Sequence, residues 1–312
     1  MKIIDLHTDT LTKVDLKESL IENATTHVDL MRAHKAGYSL WVAACFLQMP
    51  GGNLGKKATE YFLRLDKDIA ANSQISAPYT TFKNYLENRD IGKVTVFKSL
   101  EEGEIIEGKV ENLQKFYALG VRMMTLTWNY PNSLAWPNYP RPDFNRPEMS
   151  FGLTDLGKTV VSKMNDMKIL LDVSHLGDKS FFDAVKIYKG PIIASHSNAR
   201  SINPSVRNLT DEMIVTIAQS GGVIGLNLCD FFVRSSGNYI EDLIKHLEHI
   251  RKIGGISCVA LGSDFDGIGT PPILTDCTKW PILFEELRKH GWSETDLEAL
   301  SHKNFERVLT SL

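Results

Sequence analysis

The sequence predicts an α/β protein with the closed (β/α)8 architecture of a TIM barrel. Short apolar segments alternate with amphipathic helical patterns from one end of the chain to the other, and eight of the apolar segments are strand-like. A chain of 312 residues suits one barrel, which takes about 250 residues before insertions. We therefore expect a single domain over residues 1–312, with extra C-terminal helices and a long loop after strand four.

The eight predicted strands are short apolar runs bounded by polar or turn-forming residues. Two further helical patterns, "PILFEELRKHG" and "SETDLEALSHKNFERVLTSL", close the chain. A doubly wound open sheet is the alternative, but it would need a glycine-rich turn after strand one, where the sequence has "HTDTLTK". The strands are predicted at Lys2–Asp9, Tyr38–Gln48, Lys93–Glu101, Val121–Trp128, Ile169–His175, Pro191–His196, Gly222–Leu228 and Val259–Asp264.

The long loop reads "WNYPNSLAWPNYPRPDFNRPEMS" over residues 128–150. It is rich in proline and aromatic residues and has neither a strand period nor a helix period. A loop of this length is uncommon in a compact domain and is usually functional. We expect it to form a lid over the carboxyl ends of the strands.

Composition and charge exclude several classes of protein. The net charge is −3 with both signs interspersed, which does not indicate a nucleic-acid partner. No apolar segment reaches the ~18 residues of a membrane span. The four cysteines are scattered, as expected of reduced thiols. Because strand one begins at residue 2, we expect no signal peptide and a cytoplasmic protein without a membrane partner.

Candidate functional residues lie at the ends of the strands, beginning with "IIDLHTDT" in strand one. Side chains alternate along a strand, so His7 and Asp9 are expected on one face with Asp5. Ile4 and Leu6 then face the other way. Polar groups directed into a protein need a partner that offsets their desolvation, and a metal ion is the usual one. The alternative is that Asp9 caps the next turn and His7 is a hydrogen-bonded core histidine.

Strand three ends in two glutamates, which the alternation of side chains distinguishes. Val96 and Leu100 suit packing against outer helices, so Glu101 is expected to face the barrel interior and Glu102 to face outward. Glu101 is therefore the candidate ligand. Glu102 remains an alternative because strand ends twist and slip.

Three further strands also end in residues that bind metals: His175, His196 and Asp264 end strands five, six and eight. Each alone has a structural explanation, since an acid can cap a helix and a histidine can be hydrogen-bonded. Together, five strand ends would present metal ligands at the carboxyl rim, where barrel active sites lie. Two histidines, a His-x-Asp pair and an acidic bridge suffice for two divalent ions about 3.5–4 Å apart.

Two other patterns do not indicate metal sites. His246 and His249 lie three residues apart among charges, which predicts a solvated helix face. "DFDG" at 264–267 is similar to the start of a calcium loop. However, Ile268 and Thr275 stand where such a loop needs acidic residues.

The strand-end motifs resemble those of the renal, or membrane, dipeptidases, peptidase family M19, a branch of the metal-dependent amidohydrolase barrels. The resemblance runs nearly end to end. "DLHTD" resembles the first-strand motif, "SLEEGE" the motif of the bridging glutamate, "LDVSHL" and "ASHSNAR" the two histidine motifs, and "GSDFDG" the last-strand motif. The step of 21 residues from His175 to His196, and of 11 from there to Arg207, also fits the family.

This resemblance implies a dipeptidase in which two zinc ions, or other divalent metals, activate a hydroxide. Glu101 would bridge the ions and contribute to catalysis. Asp264 would be the acid and base that contacts the attacking water, and Arg207 would bind the substrate. The implied ligands are His7, Asp9 and Glu101 for one zinc, and Glu101, His175 and His196 for the other.

One position departs from the family pattern. Where mammalian members have a substrate-contacting histidine after strand four, "LTLTWNY" has Trp128, which we take as a candidate substrate-binding residue. The resemblance also implies small dipeptide substrates, tolerance of a D residue at their C-terminal position, and a homodimer.

Other functions remain as alternatives. A related amidohydrolase would act on lactones, ureido rings or phosphotriesters, but many of these bridge their metals with a carboxylated lysine at strand four, and "VRMMTLTWN" has none. A barrel that only binds a ligand would be favoured by a missing metal ligand, and none is missing. A structural zinc site is disfavoured because such sites are closed and often rich in cysteine.

Overall fold

Nine parallel strands form the sheet in the computed structural model of the chain, which describes residues 1–138 and 147–312. They are β1 (Ile3–Thr8), β2 (Tyr38–Phe46), β3 (Ser76–Pro78), β4 (Val94–Glu101), β5 (Val121–Thr125), β6 (Leu170–Asp172), β7 (Ile193–Ala194), β8 (Val223–Leu226) and β9 (Val259–Leu261). All of them except β3 form a closed ring, since β2 pairs with both β1 and β4, and β9 pairs with β1. The predicted (β/α)8 barrel is confirmed.

The extra strand β3 pairs with the first half of β4, from Ser76 opposite Val94 to Pro78 opposite Val96. The sequence analysis does not predict it. Three residues that include a proline are too few to produce a recognisable strand period.

Helices surround the barrel and follow the predicted amphipathic patterns. None of those within the described ranges is both long enough and apolar enough to cross a membrane. Two short 3-10 turns occur at Gly103–Ile106 and Ile256–Cys258, and a π-helical turn at Ala299–Lys303. The helices are α1 (Thr10–Lys13), α2 (Leu30–Ala36), α3 (Leu54–Ala71), α4 (Phe82–Asp90), α5 (Val110–Ala118), α6 (Asp155–Met167), α7 (Asp178–Ile187), α8 (Asp211–Gln219), α9 (Asp230–Val233), α10 (Tyr239–Gly254), α11 (Trp280–Lys289), α12 (Glu294–Glu298) and α13 (Asn304–Leu309).

The strands separate an outer core from an inner one. In β4, Val96 and Leu100 pack in the outer core with the helices, whereas Phe97 lies in the inner core, as their alternation predicts. Phe305 and Leu309 of α13 join the inner core. The C-terminal helix therefore closes the end of the barrel that lies opposite the carboxyl ends of the strands.

The predicted alternation is wrong in β1. Its pairing with β2 shifts register between Asp5 and Thr8, which is the signature of a bulge. Asp5 lies toward the outer core, where its Oδ2 accepts a hydrogen bond from Tyr38 Oη at 3.2 Å. Leu6 belongs to the inner core, and the bulge brings His7 to the same side instead of the opposite one.

Every predicted strand except β4 ends earlier than predicted, and three of these differences affect the candidate site. β6, β7 and β9 stop at Asp172, Ala194 and Leu261, so the polar residues beyond them lie in loops rather than on strands. His175 and Asp264 have φ angles of 68° and 64°, in the left-handed region that strands do not use. Non-glycine residues held in that region are concentrated at functional sites.

Two glycines allow the strands near the site to approach closely. A Cβ atom at Gly225 or Gly262 would lie 1.9 or 1.8 Å from the carbonyl oxygen of Ser195. No other residue fits at either position without a shift of β7 relative to its neighbours. The glycines therefore help to fix where the loops after β7, β8 and β9 begin.

Residues 139–146 of the predicted lid lie outside the described residues. The described residues before them pack on the loop after β6: the carbonyl of Trp136 accepts hydrogen bonds from the backbone N–H of Gly177 at 3.1 Å and from Ser180 Oγ at 2.7 Å. This part of the long loop therefore lies at the carboxyl rim of the barrel, where the lid was expected.

Candidate metal centre

Six of the predicted residues come together at the carboxyl end of the barrel. Their ligand atoms form three overlapping groups, and the atoms of each group all lie within 4.8 Å of one another. Any two groups share one residue, so together they form one continuous cluster. The groups are His7, Asp9 and Glu101; Glu101, His175 and His196; and His7, His196 and Asp264.

Glu101, the last residue of β4, lies at the middle of this cluster. Its Oε2 is 3.1 Å from Nε2 of His7, whereas its Oε1 is 3.0 Å from Nε2 of His175 and 3.6 Å from Nε2 of His196. Each carboxylate oxygen thus faces a different set of ligands. A carboxylate that bridges two metal ions has this arrangement.

Glu102 is directed elsewhere. Its carboxylate accepts hydrogen bonds from the backbone N–H groups of Trp128 at 3.1 Å and Glu104 at 2.9 Å, and from the amide of Asn132 at 2.5 Å. It therefore anchors the loop after β5 and does not face the cluster.

Asp9 follows β1 and stands at the start of α1. Its side chain makes no capping hydrogen bond within the described chain, so the alternative that it caps a turn is wrong. Its Oδ2 is 3.4 Å from Nε2 of His7, while its buried Oδ1 has no hydrogen-bond partner among the described residues. A buried carboxylate oxygen without a donor fits a site for a cation.

Gly267 keeps space open beside two carboxylates. A Cβ atom at this position would lie 2.0 Å from Oδ2 of Asp9 and 2.5 Å from Oδ1 of Asp264. A larger residue would therefore displace the groups that form this side of the cluster.

Hydrogen bonds behind two of the histidines fix the direction of their rings. Nδ1 of His175 lies 2.7 Å from Oδ1 of Asn129 and accepts a hydrogen bond from Nε–H of Arg207 at 3.2 Å, and Nδ1–H of His196 donates to Oγ of Ser195 at 2.7 Å. Oγ of Ser195 in turn donates to Oδ2 of Asp172 at 2.5 Å. The Nε2 atoms of both histidines then face each other across 2.9 Å beside Glu101. Imidazole nitrogens and a carboxylate oxygen gathered this closely fit a divalent metal.

Burial shifts the pKa values of the cluster. It raises the pKa of Asp9 to about 7 and that of Asp264 to about 8, and the negative charge of Glu101 acts in the same direction on both. Burial lowers the pKa of His175 and of His196 well below the usual histidine range. Both histidines are therefore neutral near pH 7, as metal binding requires.

Asp264 stands at the edge of the cluster beside β1. Its backbone N–H donates to the carbonyl of His7 at 3.1 Å, and its Oδ2 accepts a hydrogen bond from Nδ2 of Asn227 at 3.0 Å. Its Oδ1 lies on the side of Gly267 and Asp9. One carboxylate oxygen is thus held by the protein and the other faces the cluster.

A cavity of about 460 Å³ opens over the cluster, and Trp128 forms part of its wall. The indole ring lies 6.2 Å from the ring of His175 and 5.0 Å from that of Phe46. Arg207 is not among the described residues that line the cavity. Its guanidinium lies behind the wall, 5.7 Å from the ring of Phe232.

Arg207 is held there by hydrogen bonds to the loop after β7. Its Nη1 donates to Oγ of Ser197 and its Nη2 to the carbonyl of His196, both at 3.1 Å, and its Nε is 3.2 Å from Nδ1 of His175. The arginine that was expected near the cluster therefore contacts two of its histidines directly.

Sequence analysis misses the residues that support the cluster from behind: Asp172, Ser195 and Asn129. Asp172 is fully buried and accepts four hydrogen bonds, from the N–H groups of Ser174 and Ser195 and from the hydroxyls of Thr125 and Ser195. An acid inside the apolar run "ILLDVSH" is the one signal that could have indicated this role.

A closed barrel with histidine and carboxylate ligands at the carboxyl ends of its strands defines a metal-dependent barrel hydrolase. The family description "Membrane dipeptidase (Peptidase family M19)" matches residues 1–312. The chain belongs to this family.

Individual relatives agree with this assignment. A metallopeptidase from Rhodobacter sphaeroides, solved with a phosphinate mimic of the dipeptide L-Ala-D-Ala, is 27% identical, and the match covers 99% of this chain and 98% of that one with a TM-score of 0.90. The structure of a dipeptidase AC of family M19 is 29% identical over the same shares, with a TM-score of 0.87. An uncharacterised dipeptidase of Schizosaccharomyces pombe is 27% identical, over 98% of this chain and 79% of that one. The protein is a metal-dependent dipeptidase.

Proposed function

We propose that the protein is a binuclear zinc dipeptidase that hydrolyses short dipeptides, including those with a D residue at the C-terminal position. The observation that carries this proposal is the placement of Glu101. Each of its two carboxylate oxygens lies near a different set of ligands, at 3.1 Å from His7 and 3.0 Å from His175.

Two divalent ions bound in this cluster would supply an acidified water as nucleophile and an electrophile for the peptide carbonyl. His7, Asp9 and Glu101 would hold one ion, and Glu101, His175 and His196 would hold the other. Zinc suits a site of imidazole nitrogens and carboxylates, although other divalent metals also bind such ligands.

Asp264 is the general base and then the general acid. Its Oδ2 is fixed by Asn227, so Oδ1 is the atom that takes the proton from the attacking water. The same atom then returns this proton to the leaving amine.

Arg207 and Trp128 bind the substrate. Arg207 carries a planar guanidinium that suits the carboxylate at the C-terminus of a dipeptide. Because this guanidinium lies behind the Phe232 wall and donates to Ser197 and to the carbonyl of His196, the carboxylate would reach it only where that wall opens. Trp128 provides an apolar wall beside the scissile bond, where mammalian members have a histidine. Carbonyl polarisation then depends on the metal site rather than on a residue at position 128.

Tolerance of a D residue is supported by the Rhodobacter sphaeroides relative. That protein was solved with a mimic of a dipeptide whose second residue is D-Ala. The present chain is 27% identical to that protein, and the match of the two folds covers 99% of this chain.

The test is hydrolysis of Leu-D-Ala, Leu-L-Ala and N-acetyl-Leu-Ala by zinc-loaded protein whose metal content has been measured. We expect cleavage of the free dipeptides with about two zinc ions per chain, and loss of activity in a His175→Ala control. An Arg207→Ala variant is expected to lose turnover mainly through a higher KM, because its role is binding.

Three results would contradict parts of the proposal. Failure to cleave any dipeptide with metal bound would redirect the search to other amide or ester substrates. One tightly bound ion at full activity would exclude the binuclear site, and an unchanged KM in Arg207→Ala would exclude carboxylate binding by Arg207.

A further inference from the structure

Lys13 lines the cavity over the metal cluster. It is the last residue of α1, and its backbone N–H donates to the carbonyl of Asp9 at 3.0 Å, so it lies one helical turn after a residue of the cluster. The residue is exposed, and its ammonium group stands on a flexible four-carbon stem. This group can therefore reach a molecule bound in the cavity.

The charge of Lys13 is unusual for its surroundings. Among the described residues that line the cavity, it is the one lysine, and none is an arginine. The guanidinium of Arg207 lies behind the cavity wall, near Phe232. Four carboxylates line the same space, and they belong to Asp9, Glu101, Asp264 and Asp266. Apart from bound metal ions, Lys13 is thus the group that offsets negative charge there.

No acid of the cavity neutralises this ammonium group. Lys13 makes no hydrogen bond and no ion pair with any residue in the described part of the chain. Asp266 accepts instead from the backbone N–H of His27 at 2.8 Å and from the hydroxyl of Thr10. Asp9 faces the metal cluster. The charge of Lys13 therefore remains available to a ligand.

The backbone on both sides of Lys13 is fixed by Arg64 of α3. The guanidinium donates from Nη2 to the carbonyl of Leu11 at 2.5 Å and from Nη1 to that of Asp15 at 3.0 Å. Leu11 and Val14 are also buried, so the segment packs on the barrel and presents Lys13 to the cavity. A side chain on a fixed backbone loses less freedom on binding than one on a mobile loop.

A carboxylate is the part of a dipeptide that needs such a cation. Every dipeptide carries one at its C-terminus, and a dipeptide that contains Asp or Glu carries another on a side chain. The carboxylates that line the cavity repel either group. An ammonium group provides three donors and a full positive charge for either of them.

We propose that Lys13 binds a carboxylate of the substrate, either the terminal one or that of an acidic side chain. This inference rests on the proposed function, because it takes the ligand to be a dipeptide. Lys13 then acts in binding rather than in the chemical step, so its loss should change KM and leave kcat nearly unchanged.

The test measures kcat and KM of the zinc-loaded wild type and of Lys13→Met, which removes the charge but keeps an unbranched side chain. The substrates are Ala-Ala, Ala-Asp and Asp-Ala, with Ala-Asn and Asn-Ala as uncharged matches for the acidic side chains. We expect KM to rise by about fivefold wherever the bound carboxylate is present, since a hydrogen bond to a charged group at a partly exposed site contributes this much.

The substrates separate the two carboxylates. An equal rise of KM for all of them would assign Lys13 to the terminal carboxylate. A rise confined to Ala-Asp or to Asp-Ala, without one for the matching amide, would assign it to the acidic side chain and make Lys13 a determinant of specificity.

Two variants serve as controls. Lys13→Arg keeps the charge and should restore most of the wild-type affinity. Lys17→Met removes the same charge from an exposed residue that is not among the described residues lining the cavity, and its KM values should equal those of the wild type. Zinc content and thermal midpoint should match in all of these proteins.

Other results would overturn the role of Lys13 and leave the dipeptidase intact. These are an unchanged KM in Lys13→Met for every substrate, an equal rise in Lys17→Met, and a rise in Lys13→Arg as large as that in Lys13→Met. No cleavage of any dipeptide by the zinc-loaded wild type would overturn the proposed function, and the role of Lys13 with it.

Discussion

At the scale of single residues, Ser195 controls the direction of two metal-site histidines. Its Oγ accepts a hydrogen bond from Nδ1 of His196 at 2.7 Å and lies 3.4 Å from Nδ1 of His7, while it donates to Asp172. Because His7 and His196 belong to different proposed metal sites, one hydroxyl supports both. Such outer contacts fix the tautomer and raise the basicity of ligating imidazoles.

Removal of this hydroxyl should weaken metal binding. We expect Ser195→Ala to lower zinc affinity by about 10- to 100-fold, because the histidine rings lose the group that orients them. Competition with a chelator of known affinity measures this without reference to activity. Ser162→Ala, on the exposed face of α6, is the matched control, and equal affinities in the two variants would show that Ser195 only fills space.

The residue positions of the candidate site were predictable where strands are regular. Alternation directs Glu101 rather than Glu102 toward the cluster, as the structure has them, because β4 keeps an unbroken register with β2 from Thr95 to Glu101. The same reasoning fails at Asp5, since a bulge shifts the register and leaves no mark in the sequence. Asp172 was overlooked because its role depends on four donors that come from three different strands and loops.

At the scale of elements, α10 supports the loop after β7 through a histidine that was expected on a solvated face. His246 is fully buried; its Nδ1 accepts from the N–H of Ala199 at 3.1 Å, and its Nε2–H donates to the carbonyl of Val233 at 3.0 Å. Leu243 and Leu247 share the face of His246, so the helical period of apolar residues predicts that this face is buried. The sequence analysis gave more weight to the charged residues nearby and therefore placed His246 on a solvated face.

The buried His246 should make stability depend on pH. Burial lowers its pKa to about 4, against about 6.5 in the unfolded chain. As the pH falls, His246 is therefore protonated in the unfolded state before it is protonated in the folded state. Its contribution to the free energy of unfolding is complete above pH 6.5 and is lost as the pH falls toward 4. We expect the free energy of unfolding to fall by about 1.4 kcal/mol per pH unit across this window from this group.

Denaturant unfolding between pH 7 and pH 4.5 measures this effect as a difference between wild type and His246→Gln. The glutamine can replace both hydrogen bonds but does not titrate, so the free energy of unfolding of the variant should depend less steeply on pH. Both proteins contain the metal-site histidines, so the contributions of these histidines cancel in the difference. Parallel slopes in the two proteins would contradict the assignment to His246.

The elements themselves were largely predictable. All eight barrel strands were found because each has a clear apolar run, whereas β3 was missed because three residues show no period. The predicted ends of the strands were less accurate than their positions in the sequence. Backbone hydrogen bonding stops at Asp172, Ala194 and Leu261, and the turns that follow depend on contacts with distant loops.

At the scale of the whole molecule, the metal cluster joins loops from across the barrel. Its residues lie in β1 and β4 and in the loops after β1, β6, β7 and β9, so bound ions would cross-link segments that are far apart in sequence. Ligands that bind only the folded state stabilise it, by about 4 kcal/mol when they are present at a thousand times Kd.

Removal of metal should therefore lower the thermal midpoint. We expect the apoprotein, prepared with a chelator, to unfold several degrees below the zinc-loaded form and to regain its midpoint when zinc is added back. A Glu101→Gln variant should respond much less to zinc. Identical midpoints with and without metal in the wild type would mean that the ions contribute nothing to the stability of the barrel.

The pairing of β1 with β9 has a consequence for how the cell makes this protein. His7 and Asp9 are synthesised before the other residues of the cluster, yet they meet Asp264 only after β9 has been synthesised and the ring has closed. A nascent chain that has not reached β9 therefore lacks the proposed general base, even when every proposed metal ligand is already present. The complete centre forms only when β1 and β9 pair.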